Sequence, residues 1–182
     1  MKLGLIDSVW FGTKINTLEA VHKTREIGFD TIDVFIDLAD TTPLQHRHLK
    51  KACDNEGLPI ISVATALPGL IEFNKPVREF TLGLLRKYTS LACYLESRNV
   101  EVALGEYIWQ GQAIPPATQW AWAVEAFRAG GEYAASQGIE ICLEMEPFQY
   151  SITRGVEKMV KLLDAIDNPV VKANVDCSHL YL

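Results

Sequence analysis

The sequence lacks the patterns that identify several large classes of protein. Its 17 Lys and Arg residues are scattered, without a basic run, and the formal net charge is −6. A nucleic-acid-binding protein needs a basic patch, so this composition argues against nucleic acid and equally against an anionic membrane surface. No apolar run reaches the length of a membrane span, and the N-terminus, MKLGLIDSVWFG, has none of the features of a signal peptide.

Cysteine usage and the glycine patterns exclude further classes. The four cysteines include no C-x-x-C pair, which is typical of free thiols in a cytoplasmic protein rather than of a disulfide framework. No G-x-G-x-x-G follows the first predicted strand and no phosphate-loop motif occurs, which argues against a nucleotide-binding sheet. The 182 residues are 48% hydrophobic, so we expect a single soluble domain spanning residues 1–182.

Strand and helix patterns alternate six times along the chain. Apolar runs predict strands at residues 2–9, 31–37, 59–66, 100–104, 138–147 and 170–176. Asn16 with Glu19, and Thr42 with Gln45, have the spacing of capping boxes, and Ser151 is predicted to cap the last helix. Such alternation predicts a parallel sheet, either open and doubly wound or closed into a β/α barrel, and in both architectures ligands bind at the carboxyl ends of the strands.

Two carboxylates stand at the end of the fifth predicted strand, GIEICLEMEP. Glu144 and Glu146 lie two residues apart, so an extended strand would point both to one face. An ionised carboxylate at the end of an apolar strand is costly unless something pairs with it. A bound metal ion or a catalytic role would explain the two carboxylates, and a salt bridge to a nearby Lys or Arg is the alternative.

The sixth predicted strand ends in a second polar motif, NVDCSHL. Asp176 and His179 lie three residues apart, and both residue types bind divalent metals. A helix-capping Asp with a surface His is the alternative for this spacing. Because the strand follows the acidic fifth strand, we expect Glu144, Asp176 and His179 to meet at one end of the sheet.

LEMEPF followed by NVDCSH on successive strands resembles the xylose-isomerase-like TIM barrel superfamily, which includes sugar phosphate isomerases and epimerases. MKLGLID and IGFDTIDVF agree with the first two strands of that family. The resemblance implies a parallel (β/α) barrel of the TIM type. It also implies that Glu144 is a metal ligand and the catalytic base, with Glu146 as the fallback if the register is shifted by two, and that Asp176 is a second ligand.

The resemblance implies a metal-dependent isomerase or epimerase of carbohydrate metabolism. A divalent ion (Mn, Mg, Co or Zn) would hold a small sugar or polyol, and a proton next to the carbonyl would be removed. His179 would contact the substrate. Trp10 and Trp109 fall in loops at the same end of the sheet, where they would either stack on the sugar or pack within the loops.

The sequence departs from the family pattern in length. Only six of the eight expected β/α units are present, so we expect a C-terminally truncated barrel, with a homo-oligomer as one way to cover its open edges. Two alternatives remain open: a lyase resembling inosose dehydratase, and an incomplete barrel without catalytic activity. The endonuclease branch of the family carries additional histidines near strands three and four, which this sequence lacks.

Overall fold

A computed structural model describes residues 2–105 and 114–181, in which six parallel strands form one sheet. The strands are β1 (Gly4–Ile6), β2 (Thr31–Phe35), β3 (Ile60–Ala66), β4 (Asn99–Ala103), β5 (Glu140–Glu144) and β6 (Val171–Asn174). The helices are α1 (Thr17–Ile27), α2 (Pro43–Glu56), α3 (Lys75–Tyr94), α4 (Pro116–Gln137) and α5 (Gly155–Ile166). Short 3-10 turns occupy Asp7–Trp10, Pro68–Ile71 and Cys177–Leu180.

The strand order distinguishes between the two architectures that the sequence allows. The strands neighbour one another in chain order, from β1 to β6, and every pair is parallel. A doubly wound sheet reverses its order near the middle, whereas the order of a β/α barrel does not reverse. The fold is therefore of the TIM-barrel type, as predicted, with six strands in the described ranges and with β1 and β6 at the edges.

The sheet has one apolar face and one polar face. Val100, Val102, Ile141 and Leu143 are fully buried and belong to the same core cluster as Phe127 of α4. The residues that alternate with them point to the opposite face, which we call the inner face. Right-handed connections between sequential strands place the helices together on the apolar side of the sheet. The inner face therefore corresponds to the interior of a β/α barrel.

The helix starts confirm two of the three predicted caps. Asn16 accepts hydrogen bonds from Leu18 N and Glu19 N, and Thr42 forms the second capping box. The prediction for Ser151 was wrong: α5 begins at Gly155, and the Ser151 hydroxyl lies 2.9 Å from that of Thr153. A short turn therefore separates the serine from the helix.

The first strand is shorter than the sequence suggested. β1 ends at Ile6, and the chain then turns through Asp7–Trp10, which places the Asp7 carboxylate at the carboxyl end of the sheet. Within the described ranges, none of the helices combines the length and apolar character that crossing a membrane requires.

Candidate metal centre

Three ligand side chains meet at the carboxyl ends of β5 and β6. Glu144 is the last residue of β5, Asp176 follows β6 by two residues, and His179 lies in the 3-10 turn that comes next. The His179 Nδ1 atom is 3.9 Å from Glu144 Oε1, and His179 Nε2 is 3.6 Å from Asp176 Oδ2. One ligand atom from each residue lies within 4.8 Å of the other two. We call these three residues the EDH group.

The local sequence explains how Asp176 and His179 are held. Asp176 caps the 3-10 turn: its Oδ1 atom accepts 2.7 Å hydrogen bonds from the backbone N–H and the hydroxyl of Ser178. These bonds leave the Oδ2 atom directed at His179. They also lower the pKa of Asp176, so its carboxylate is ionised at neutral pH.

A backbone contact determines which ring nitrogen of His179 carries the proton in the neutral form. His179 Nδ1 lies 2.7 Å from the carbonyl oxygen of Met145, which can only accept a hydrogen bond. The Nδ1 atom therefore carries the proton in the neutral ring, and the lone pair is on Nε2. Metal-binding histidines commonly donate their second ring N–H to a carbonyl in this way. Nε2 is thus the available ligand atom.

Negative charge is concentrated around Glu144. Burial raises the pKa of Glu144, and Glu146 and Asp176 raise it further, whereas His179 opposes the rise. No lysine or arginine in the described ranges is among the groups that shift this pKa. Two carboxylates and an imidazole nitrogen form a donor set that fits Mn²⁺, Zn²⁺ or a similar divalent ion. Bound cation charge would offset the repulsion, so the residues present fit a metal.

Glu146 lies outside the EDH group. It is only 3% exposed, and its Oε1 atom accepts a 2.9 Å hydrogen bond from Gly105 N. Gly105 has a φ of +73°, a conformation that favours glycine, and this turn directs its N–H at the carboxylate. Glu146 thus connects the ends of β4 and β5, whereas Glu144 lies among the ligand atoms.

The two predicted aromatic contacts have different outcomes. Trp10 is half-buried in the turn after β1, at the same end of the sheet as the EDH group, and its role as a sugar contact stays a prediction. Its Nε1 atom is buried and has no hydrogen-bond partner within the residues the structure describes. Trp109 lies outside the described residues.

The sequence interpretation missed two inner-face residues next to the EDH group. Asn174, the last residue of β6, pairs in register with Glu144. Its Nδ2 atom donates a 2.7 Å hydrogen bond to Glu101 Oε1 on β4. Glu101 stands between Val100 and Val102, and this alternation is the sequence signal that places it on the inner face.

Barrel strand order and a carboxylate–histidine group at the carboxyl ends of two strands define a β/α-barrel protein with a candidate metal centre. The family profile described as xylose isomerase-like TIM barrel matches residues 21–182. The chain therefore belongs to the xylose isomerase-like TIM barrel family. No curated protein sequence matches it.

Solved structures share this fold. D-allulose 3-epimerase from Methylomonas sp., in complex with D-allulose, is 21% identical, with a TM-score of 0.82 over 100% of this chain. The 3-keto-D-glucoside 4-epimerase from E. coli is 17% identical, with a TM-score of 0.85 over 100% of the chain. A xylose isomerase-like TIM barrel protein from Mycobacterium smegmatis, in complex with magnesium, is 20% identical, with a TM-score of 0.77 over 98%.

The chain is shorter than these solved structures. It spans 64%, 70% and 65% of the three solved chains, respectively. About a third of each solved chain therefore has no counterpart in the 182 residues. At these identities the likeness shows the fold alone.

Proposed function

We propose that this chain carries the metal-binding half of the active site of a sugar isomerase or epimerase. The observation that supports this proposal is the EDH group, Glu144, Asp176 and His179, with ligand atoms within 4.8 Å of one another at the carboxyl ends of the strands. Ligands and substrates of β/α barrels bind at that end. Two of the solved structures described above are sugar epimerases, which is the reaction class we propose.

The EDH group would hold one divalent ion. Asp176 Oδ2, His179 Nε2 and one oxygen of Glu144 would be the ligands, and three protein ligands leave positions for substrate oxygens. When bound, the ion would polarise the carbonyl of a ketose and make the neighbouring C–H more acidic. Mn, Mg, Co and Zn all suit such a donor set.

Glu144 would act as the general base. Burial and the neighbouring Glu146 and Asp176 carboxylates raise its pKa, and a raised pKa favours uptake of a proton by the carboxylate. The C–H bond next to the carbonyl breaks, the proton moves to Glu144, and the electron pair moves towards the carbonyl oxygen. Returning the proton to the same face of that carbon regenerates the substrate. Returning it to the former carbonyl carbon, while the hydroxyl proton of the first carbon passes to the former carbonyl oxygen, gives the isomer.

Epimerisation needs a second proton donor on the opposite face of the substrate. We propose that the β/α units that a complete barrel has beyond strand six supply this group. A small ketose is the proposed substrate, with Trp10 packed against it. A cytoplasmic location and a homo-oligomer both stay predictions.

Proton exchange with solvent tests this function most directly. The protein is incubated with Mn²⁺ and a ketohexose (D-allulose or D-fructose) in D₂O, and deuterium next to the carbonyl is followed by NMR. We expect wild-type exchange well above the buffer rate, and its loss in Glu144→Gln. Glu140→Gln is the matched control, because Glu140 lies on the same strand and face but pairs with Lys172 and Arg98 at the opposite end.

The outcomes separate the alternatives. Full exchange in Glu144→Gln would refute the assigned base. Exchange and water loss with inososes, but not with ketoses, would favour the dehydratase alternative. If the wild type binds Mn²⁺ but exchanges no proton in any of these substrates, the chain is a non-catalytic barrel and the proposed activity is wrong.

A further inference from the structure

A hydrogen bond on the inner face joins β6 to β4 across β5, immediately beside the EDH group. The Asn174 Nδ2 atom on β6 donates to Glu101 Oε1 on β4 over 2.7 Å, although the two residues are 73 positions apart. Glu101 pairs in register with Cys142, and Asn174 pairs with Glu144, so the bond passes diagonally over β5. It therefore fixes the end of β6 relative to β4 at the level of Glu144.

Glu101 is a partly buried carboxylate surrounded by other carboxylates. Burial, together with the carboxylates of Glu144, Asp33 and, to a smaller extent, Asp176, raises the pKa of Glu101 to about 7. Only the hydrogen bond from Asn174 opposes the rise. No cationic side chain in the described ranges contributes, so the Asn174 amide is the favourable contact that Glu101 has in this acidic environment.

Two further bonds connect Asn174 to the histidine of the EDH group. The carbonyl oxygen of Asn174 accepts a 3.0 Å hydrogen bond from Met145 N. The carbonyl oxygen of Met145 lies 2.7 Å from His179 Nδ1. Asn174 is also two residues from Asp176, so a shift of the β6 end would move both Asp176 and the carbonyl that orients His179.

We propose that Glu101 is a positioning residue for the EDH group and that it acts through Asn174. This inference rests on the proposed function, because the EDH group is the proposed metal site. Neither Glu101 nor Asn174 is among the ligands. Their bond holds the end of β6, and thereby keeps Asp176 Oδ2 and His179 Nε2 at the separation that one ion requires.

The variants follow from the geometry. Glu101→Gln keeps an oxygen that accepts from Asn174, and we expect it to behave as the wild type. Glu101→Ala and Asn174→Ala each remove the bond. Loss of comparable contacts behind metal ligands weakens metal affinity by about 10- to 100-fold, and we expect that range here. The double alanine variant should lose no more than either single variant, since both remove the same bond.

Two readouts test the proposal. Mn²⁺ affinity is measured by calorimetry at pH 7, with Glu140→Ala as the control that removes an inner-face carboxylate far from the EDH group. The tautomer of His179 is measured in the metal-free protein by ¹⁵N NMR of the histidine rings. We expect the Nδ1–H tautomer in the wild type and in Glu101→Gln, and a mixture of tautomers in Glu101→Ala and Asn174→Ala.

The two measurements distinguish failure of the proposed metal site from failure of the proposed role of Glu101. If the wild type does not bind Mn²⁺, the proposed metal site is wrong, and the tautomer measurement alone decides whether Glu101 orients His179. Wild-type Mn²⁺ affinity and a single Nδ1–H tautomer in both alanine variants would overturn the proposal. Weakening by Glu101→Gln equal to that by Glu101→Ala would also overturn it, because the acceptor oxygen would then be irrelevant.

Discussion

Replacing Asp7 by asparagine is expected to make the metal-free protein more stable than the wild type at pH 8. Asp7 is 8% exposed, and its Oδ1 atom accepts a 2.7 Å hydrogen bond from Phe35 N. Burial and, to a smaller extent, the nearby Asp33 carboxylate raise its pKa from 3.8 to about 6, against the lowering effect of the Phe35 hydrogen bond. Asparagine retains the Oδ1 acceptor and removes the buried charge.

The sign of the effect follows from proton linkage. Because the pKa of Asp7 is higher in the folded protein than in the unfolded chain, the folded state binds more protons between pH 3.8 and about 6. The free energy of unfolding therefore falls as the pH rises through this window. The rise in pKa of about 2 corresponds to a total of about 3 kcal/mol, of which roughly half is lost between pH 5 and pH 8.

Urea unfolding at pH 5 and pH 8, with a chelator present, measures this difference. The wild type should lose stability between the two values, and Asp7→Asn should lose about 1.5 kcal/mol less. Glu101 and Glu144, whose pKa values are also raised, contribute to the decline in both proteins and cancel in the comparison. Asp164→Asn, an exposed position on α5, is the control. Parallel declines for the wild type and Asp7→Asn would refute the reasoning.

Two further predictions concern stability. Phe127→Ala should lower the free energy of unfolding by about 3–5 kcal/mol, because the side chain is fully buried between α4 and the sheet; a loss below 1 kcal/mol in urea unfolding would contradict this packing. Gly105→Ala should cost about 1–2 kcal/mol, because its φ is +73°. Gly83→Ala is the control, because Gly83 lies in the interior of α3 with open space at the Cβ position, and we expect this change to be neutral or stabilising. Equal effects on the free energy of unfolding at the two sites would refute the argument from backbone conformation.

Local signals predicted most of the fold. The capping boxes at Asn16 and Thr42 are complete within four residues of sequence, so they required no knowledge of the rest of the chain. The choice between a barrel and a doubly wound sheet depended on strand order, which is a long-range property that alternation of strands and helices does not encode. Ser151 shows the limit of local reasoning. Its hydroxyl forms a hydrogen bond with the Thr153 hydroxyl instead of capping α5.

The candidate site was predictable in part. Asp176 and His179 are three residues apart in one turn, so their proximity follows from sequence, and Glu144 follows from the neighbouring strand. The bond between Glu101 and Asn174 joins residues on strands that are not adjacent and depends on the curvature of the sheet. The backbone carbonyl that orients His179 belongs to Met145, whose side chain gives no sign of this role.

Metal content per chain tests the central claim most directly. The wild type and Asp176→Asn are loaded with Mn²⁺, dialysed against metal-free buffer and analysed by elemental mass spectrometry. The EDH group predicts near-stoichiometric Mn²⁺ in the wild type and strong depletion in Asp176→Asn, with Glu140→Gln retaining the metal. Equal metal content in the wild type and Asp176→Asn, or none in the wild type, would contradict the assignment of Glu144, Asp176 and His179 as a metal centre.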